Sequence, residues 1–156
     1  MKWITRERPK IDRIACPWLI QRFVDAEAEF LYVPPERVLG EARRLGAIPY
    51  DVPGVELTHD GPLCSFDAIL KKYALTDPAL QRLAQIVRAA DTDTLERSRE
   101  APGLLAITLG LSATIRDDHE LLGVGLRLYE ALYAWCRDLV GERHGWYPEQ
   151  IPTGAR

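Results

Sequence analysis

The first 60 residues alternate short apolar runs with proline, glycine and charged positions. Such runs, rich in aromatic and branched residues and bounded by turn-forming residues, are typical of short strands. The last two runs flank Pro53-Gly54, a dipeptide that suits a tight turn, and they therefore predict a small hairpin. The pattern predicts strands over residues 3–5, 29–33, 48–52 and 55–59.

Two helices are predicted between these strands, over residues 17–25 and 35–45. In the first of them, Leu19, Ile20 and Phe23 recur at helical spacing. Each segment begins with proline, which favours the first position of a helix.

From Cys64 onward the apolar positions follow a helical period. Ser65 is a good N-cap for the first of these helices. The segment 102–111 is apolar on nearly every side, so we expect it to be buried. The predicted helices cover residues 65–74, a segment that begins at residue 77, and residues 102–111 and 118–140. The sum is an α+β fold, with a small N-terminal β-sheet and interspersed helices followed by a C-terminal helical bundle.

The chain has 156 residues, which fits a single domain over residues 1–156. Its last part, residues 141–156, has no periodicity and is expected to be an irregular tail. The net charge is -3 and the pI about 5.6. The chain thus lacks the basic field of a dedicated nucleic-acid binder, and nucleic acid is not an expected partner of this domain alone.

Neither a membrane span nor export is predicted. No stretch approaches about 18 uninterrupted apolar residues, and the start MKWITRERPKIDR is charged where a signal peptide needs its apolar region. The three cysteines, at positions 16, 64 and 136, form no CxxC pair, which argues against a disulfide framework or a zinc knuckle. A cytoplasmic location is therefore expected.

Basic side chains crowd the segment RERPKIDRIACPW, between the first strand and the first helix. With Pro17 at the first helical position, Cys16 becomes the N-cap. The unpaired N–H groups of a helix start attract anions and lower the pKa of a thiol. Arginines add donors that match a tetrahedral oxyanion. The predicted oxyanion site consists of Arg6, Arg8, Arg13 and Cys16.

A purely structural interpretation of the same segment stays open. In it Cys16 is buried, and the helix runs from Asp12 with a kink at Pro17. Arg8 and Arg13 then pair with neighbouring acids, which are Glu7, Asp12 and Asp25.

The segment HDGPLCSFD, residues 59–67, brings a histidine, a cysteine and carboxylates into one strand–turn–helix corner. These donors suit zinc or ferrous iron. Turn and capping preferences explain the central residues and Asp67, but they leave His59 and Cys64 without a role. Zinc or iron is therefore the candidate cofactor.

His119 follows a capping-box pattern in which Asp117 and Glu120 are accounted for. A helix start disfavours protonated histidine, so His119 stays available as a neutral ligand or base. Asp91 follows a helix, and its presence there is explained by capping of the helix end. If it lies close to both histidines in the fold, it becomes a metal ligand. The predicted metal ligands are His59, Cys64, Asp67, Asp91 and His119.

Six segments of the chain resemble one known family. They are RPKIDRIACPWLIQRFVDAEAEFLYVPPE, GAIPYDVPGVELTHDG with CSFDAILKKY, IVRAADTD, DDHE, and LYEALYAWCR. In order and content they are similar to the C-terminal domain of the chromate-resistance ChrB family, from about residue 3 to residue 137. The resemblance implies a role in chromate resistance. Longer members carry an extra N-terminal domain and are described as chromate-responsive regulators.

Three hypotheses follow. The first is a sensor or accessory domain that binds an oxyanion, chromate or sulfate, or a metal. The second is a small metal-dependent enzyme that uses His59, Cys64 and His119. The third is a transcriptional regulator, which the negative charge disfavours. Phosphate-binding glycine loops, GxSxG and HExxH motifs are absent from the sequence. Enzymatic activity and a homodimer are left open.

Overall fold

The structure is a computed structural model and describes residues 1–148. Short 3-10 turns precede the helices Val38–Leu45 and Ala101–Thr114, and a π-helical turn, Trp135–Leu139, continues the last helix. The predicted α+β class is confirmed. The elements in chain order are β1 Lys2–Arg6, α1 Asp12–Phe23, β2 Glu29–Val33, α2 Val38–Leu45, β3 Ile48–Pro49, α3 Ser65–Lys72, α4 Pro78–Asp91, α5 Ala101–Thr114 and α6 Asp118–Ala134.

The sheet has the strand order β2-β1-β3, and both strand pairs are parallel. Trp3 in the central strand is in register with Phe30 on one side and Ile48 on the other. Helices cover both faces, so β1 is buried on both sides, as parallel strands usually are. Trp3 faces the main core with α1, α3, α4 and α6, whereas Ile4 packs against α2 in a smaller core.

The hairpin predicted around Pro53-Gly54 is wrong. β3 ends at Pro49, and an isolated parallel bridge between Tyr50 and Leu57 replaces the second pair of strands. Asp51 adopts a left-handed conformation, φ 51°, which aspartate tolerates better than most residues. This residue turns the chain out of the extended path and aims its side chain toward the site described below.

The predicted helix start at Pro17 is also wrong, because α1 begins at Asp12 and contains the proline. Proline cannot donate to the carbonyl four residues before it, here that of Arg13. The hydroxyl of Tyr32 in β2 donates to that carbonyl at 3.4 Å and so replaces the hydrogen bond that the helix lacks. Cys16 consequently lies inside the helix and is not its N-cap.

The expected burial of the apolar segment 102–111 is wrong as well. Of α5, only Ala101, Leu104 and Thr108 are buried, while Ile107 and Leu109 are 50% and 47% exposed. Periodicity could not decide this, because a helix that is apolar all round has no polar face to mark its solvent side.

The last helix agrees with its prediction, since α6 and the π-helical turn together extend to Leu139. Of the predicted irregular tail, residues 141–147 form no helix or strand, and residues 149–156 lie outside the described part of the chain. Among residues 1–148, no helix combines the length and the apolar character that crossing a lipid bilayer requires.

Candidate functional site

Polar side chains from distant parts of the sequence converge at the carboxyl ends of β1 and β3, the edge of an open parallel sheet where ligands usually bind. The residues come from the end of β1, the start of α1, the turn after β3, the loop before α3 and the end of α4. They are Arg6, Asp12, Asp51, His59 and Asp91.

His59 lies at the centre of this group. Its Nε2 atom is 2.9 Å from Oδ2 of Asp91, 3.4 Å from Oδ1 of Asp51 and 3.7 Å from Oδ2 of Asp12. One donor atom each from Asp12, His59 and Asp91 lies within 4.8 Å of the others. Such a spacing allows the three side chains to ligate one metal ion.

Asp12 is fully buried and joins α1 to α3. Its carboxylate accepts hydrogen bonds from the backbone N–H groups of Ser65, at 2.7 Å, and Phe66, at 3.1 Å. These N–H groups belong to the first turn of α3 and have no partner within their own helix. The preceding Ile11 has φ 42°, an unusual value for a β-branched residue, and its carbonyl accepts from the buried Tyr129 hydroxyl at 3.1 Å. Strained backbone of this kind clusters at functional sites.

The carboxylate of Asp51 contacts both the arginines and the histidine of the site. Its Oδ2 is 2.9 Å from Nη2 of Arg6 and 3.4 Å from Nε of Arg13. Its Oδ1 accepts from the Ser65 hydroxyl at 2.9 Å and faces His59. This carboxylate thus has several protein partners, whereas Asp91 has His59 as its ion-pair partner and a hydrogen bond with the backbone of Asp12.

Burial and mutual repulsion disfavour the charged forms of the Asp12 and Asp91 carboxyl groups. Burial, with the charges of Asp91 and Asp51, raises the pKa of Asp12 well above its ordinary value. Burial and the charge of Asp51 also raise the pKa of Asp91, although His59 counteracts this. Burial and the neighbouring Arg6 lower the pKa of Arg13. A bound cation would relieve the repulsion between the carboxylates.

A pocket of about 340 Å³ opens onto the site. Its lining combines Asp51, Asp91 and His59 with three basic residues, Arg6, Lys10 and Arg13. Leu105 and Leu109 of α5 form an apolar edge. The pocket therefore places positive side chains next to the candidate metal ligands.

The structure brings together two of the four residues predicted to bind an oxyanion, Arg6 and Arg13. Arg8 instead donates to the backbone carbonyls of Ser112, Ile115 and Arg116 at the end of α5. A helix C-terminus favours such a cation because its last carbonyls are unpaired.

The role predicted for Cys16 is contradicted. Its thiol is fully buried and donates to Oδ1 of Asp12 at 3.2 Å. Burial, reinforced by the Asp12 carboxylate, raises the pKa of this thiol well above its ordinary value, the opposite of the predicted activation. The buried interpretation of Cys16, with a helix that starts at Asp12, is the one that the structure supports.

Of the predicted metal ligands, only His59 and Asp91 belong to the group whose donor atoms converge. Cys64 is the N-cap of α3 in place of Ser65, and its thiol donates to Asp67 at 3.4 Å. Asp67 is held by a two-pronged ion pair with Arg88 of α4. His119 lies at the exposed start of α6 with its ring edge-on to Tyr32.

Two residues of the site, Asp12 and Asp51, were not among the predicted ligands. The purely structural interpretation pairs Asp12 with an arginine, and the strand predicted over residues 48–52 contains Asp51. The signal at Asp12 was an acid that immediately precedes an apolar helical run, DRIACPWLI. An acid at a helix start is normally explained by the helix dipole, so this signal was not specific.

All three cysteines are fully buried, so the native protein should be inert toward thiol reagents. Burial raises the pKa of Cys16 and Cys64, and that of Cys136 to about 11. In denaturant at pH 8 all three thiols should react with such a reagent within minutes. In the native protein we expect none of the three to react during the same time. An Ala26→Cys variant, which places a thiol in an exposed turn, is the positive control. One fast native thiol, mapped to Cys16 by mass spectrometry, would contradict the structure.

The fold and the site define an α+β domain with a carboxylate–histidine centre at the carboxyl edge of a small parallel sheet. Residues 3–136 match the family described as "ChrB, C-terminal domain", and the chain belongs to this family. The family that the sequence resemblance indicated is thereby confirmed.

The chain is 32% identical over 133 residues to "Protein ChrB" of Cupriavidus metallidurans. The matched part is 85% of this chain but 40% of that protein, so the chain corresponds to less than half of the relative's length. No solved structure is significantly similar to the chain.

Proposed function

We propose that this chain is a metal-binding sensor or accessory domain of chromate resistance, which holds a divalent ion and takes an oxyanion beside it. The observation that carries the proposal is the convergence of donor atoms from Asp12, His59 and Asp91 within 4.8 Å. A cytoplasmic location is part of the proposal, because three free thiols fit a reducing compartment.

The donor set narrows the choice of metal. Two carboxylate oxygens and one imidazole nitrogen suit first-row divalent ions such as Mn²⁺, Fe²⁺ and Zn²⁺. A thiolate ligand is not part of the set, since the Cys64 thiol is directed to Asp67. Three protein ligands leave coordination positions for water or a ligand.

The basic side chains of the pocket support the proposal that an oxyanion binds there. Lys10 is exposed and has no ion-pair partner within residues 1–148. Nε of Arg6 is buried without a hydrogen-bond partner in the same part of the chain. An anion between these groups and a metal ion would be held from two sides. Because the Cys16 thiol is buried, it cannot distinguish chromate from sulfate by oxidation, and we expect the two to compete at a site that holds redox-inert Zn²⁺.

The metal site predicts one equivalent of Zn²⁺ or Mn²⁺ in a calorimetric titration of the chelator-treated, untagged chain. His59→Ala and Asp91→Asn should weaken binding by more than about 100-fold, since even residues that only support metal ligands contribute 10–100-fold. Metal at about 100 times its Kd adds about 2.7 kcal/mol of stability and should raise the Tm by about 5–10 °C.

Matched controls are His119→Ala and Asp93→Asn, which change an exposed histidine and an exposed acid outside the site. Both should bind metal like the wild type. Sulfate titrated into the metal-loaded chain should bind more weakly to Lys10→Ala than to Lys2→Ala. Equal heats for the wild type, His59→Ala and Asp91→Asn would refute the metal site. Equal sulfate binding by the two lysine variants would refute the oxyanion position alone.

A further inference from the structure

The outer surface of α5 is an unpartnered apolar face. The helix contains no charged residue, and its exposed side carries Gly103, Ala106 and Gly110 between the larger Ile107 and Leu109. Monomeric proteins rarely expose extended apolar patches without an interaction to explain them.

The apolar face continues onto α6. A groove of about 360 Å³ separates the two helices, and Glu100 is the charged residue in its lining. Val124, one helical turn from Leu128, extends the same stripe and is 40% exposed. We call these side chains the α5–α6 apolar surface; they are Ile107, Leu109, Val124, Leu128, Leu132 and Trp135.

We propose that the occupant of the α5–α6 apolar surface is a second copy of this chain, packed with its α5 antiparallel to the first about a twofold axis. In an isologous pair each contact occurs twice. With the axis level with Thr108, Ala106 faces Gly110 of the second copy, and Gly103 faces Ala113. These small residues permit close approach, while Ile107 meets its counterpart in the second copy on one flank and Leu109 meets its counterpart on the other.

Charges at the two ends of α5 fit the same alignment. These residues flank α5, so Arg99 is then level with Asp117 of the second copy, and Glu100 is level with Arg116. Twofold symmetry gives four opposite-charge pairs. Neither Arg99 nor the guanidinium of Arg116 has an ion-pair partner within the described residues 1–148. A parallel alignment would instead set Arg99 beside Arg99 and Arg116 beside Arg116. Charge complementarity therefore selects the antiparallel dimer.

Sedimentation velocity of the untagged chain, over a concentration series from about 1 to 200 μM, tests the proposal at the affinities expected of such surfaces. We expect a shift from 17.7 kDa to twice that mass. Ile107→Glu should raise the dimer Kd by more than about 100-fold, because symmetry puts two unpaired charges into the interface. Leu39→Glu, on an exposed position of α2, is the matched control and should dimerise like the wild type.

The charge pairs are tested by Glu100→Arg and Arg116→Glu, each of which should weaken the dimer, and by the double variant, which should restore it. Far-ultraviolet circular dichroism verifies that each variant is folded. A chain that is monomeric at every concentration would overturn the proposal and leave the surface to a different partner. A dimer that Ile107→Glu leaves unchanged would overturn it as well.

Discussion

Replacing Asp12 with alanine should lower the free energy of unfolding by about 3 kcal/mol, or about 6–12 °C in Tm. The change removes the acceptor for the N–H groups of Ser65 and Phe66 at a position that is fully buried and shielded from bulk water. It also removes the link between α1 and α3. Release of the repulsion with Asp51 and Asp91 offsets part of this loss, because that repulsion contributes to the raised pKa of Asp12.

Urea unfolding of the metal-free chain measures the effect, with Asp117→Ala as a matched control. Asp117 likewise accepts a backbone N–H at a helix start, that of Glu120 at 2.8 Å, but it is exposed to water. Its loss should cost about 1 kcal/mol. Asp12→Asn, which keeps one acceptor oxygen, should fall between the two. A loss at Asp12 no larger than that at Asp117 would show that the buried link does not stabilise the fold.

Gly125→Ala should destabilise the protein by about 2 kcal/mol, although alanine is the better helix former. Gly125 lies in the buried face of α6 against α1. A Cβ at this position would overlap the Cγ2 methyl of Ile14, which is itself 1% exposed and has no space to move into. The helices would have to separate, and α1 carries Asp12 into the site.

Gly123→Ala is the control in the same helix, since a Cβ there meets nothing within 4 Å. This variant should gain up to about 1 kcal/mol from helix propensity. The clash is isolated by a double-mutant cycle with Ile14→Ala, which removes the overlapping methyl. We expect a favourable coupling of about 1–2 kcal/mol between the two changes. If Gly125→Ala is as stable as Gly123→Ala, the close approach of α1 and α6 is not needed for stability.

Both variants affect how α1 is attached to the rest of the fold, Asp12→Ala through lost hydrogen bonds to α3 and Gly125→Ala through packing against α6. Asp12 and Asp91 end or begin helices whose other faces are in the main core, so their side chains are fixed by buried apolar contacts. His59, by contrast, is on a loop and is 39% exposed, which leaves it accessible to a ligand.

Local sequence patterns determined the strand at residues 29–33, the approximate extents of α2, α3 and α6, and the α+β class. Each of these depends on residues within a few positions of one another, which periodicity and capping preferences report directly. The same reasoning singled out His59 and Asp91, although it gave Asp91 a role only if it met the histidines.

Tertiary structure decided the composition of the site. Asp12 meets Ser65 across 53 positions of the chain, and no local pattern encodes which helix start a distant carboxylate will reach. Burial likewise makes the prediction for Cys16 wrong. The proline after it suggested a reactive thiol at a helix start, whereas Cys16 lies inside α1 and is fully buried. For α5, apolar residues on every side gave no solvent face, so only the packed fold showed which of them remain uncovered.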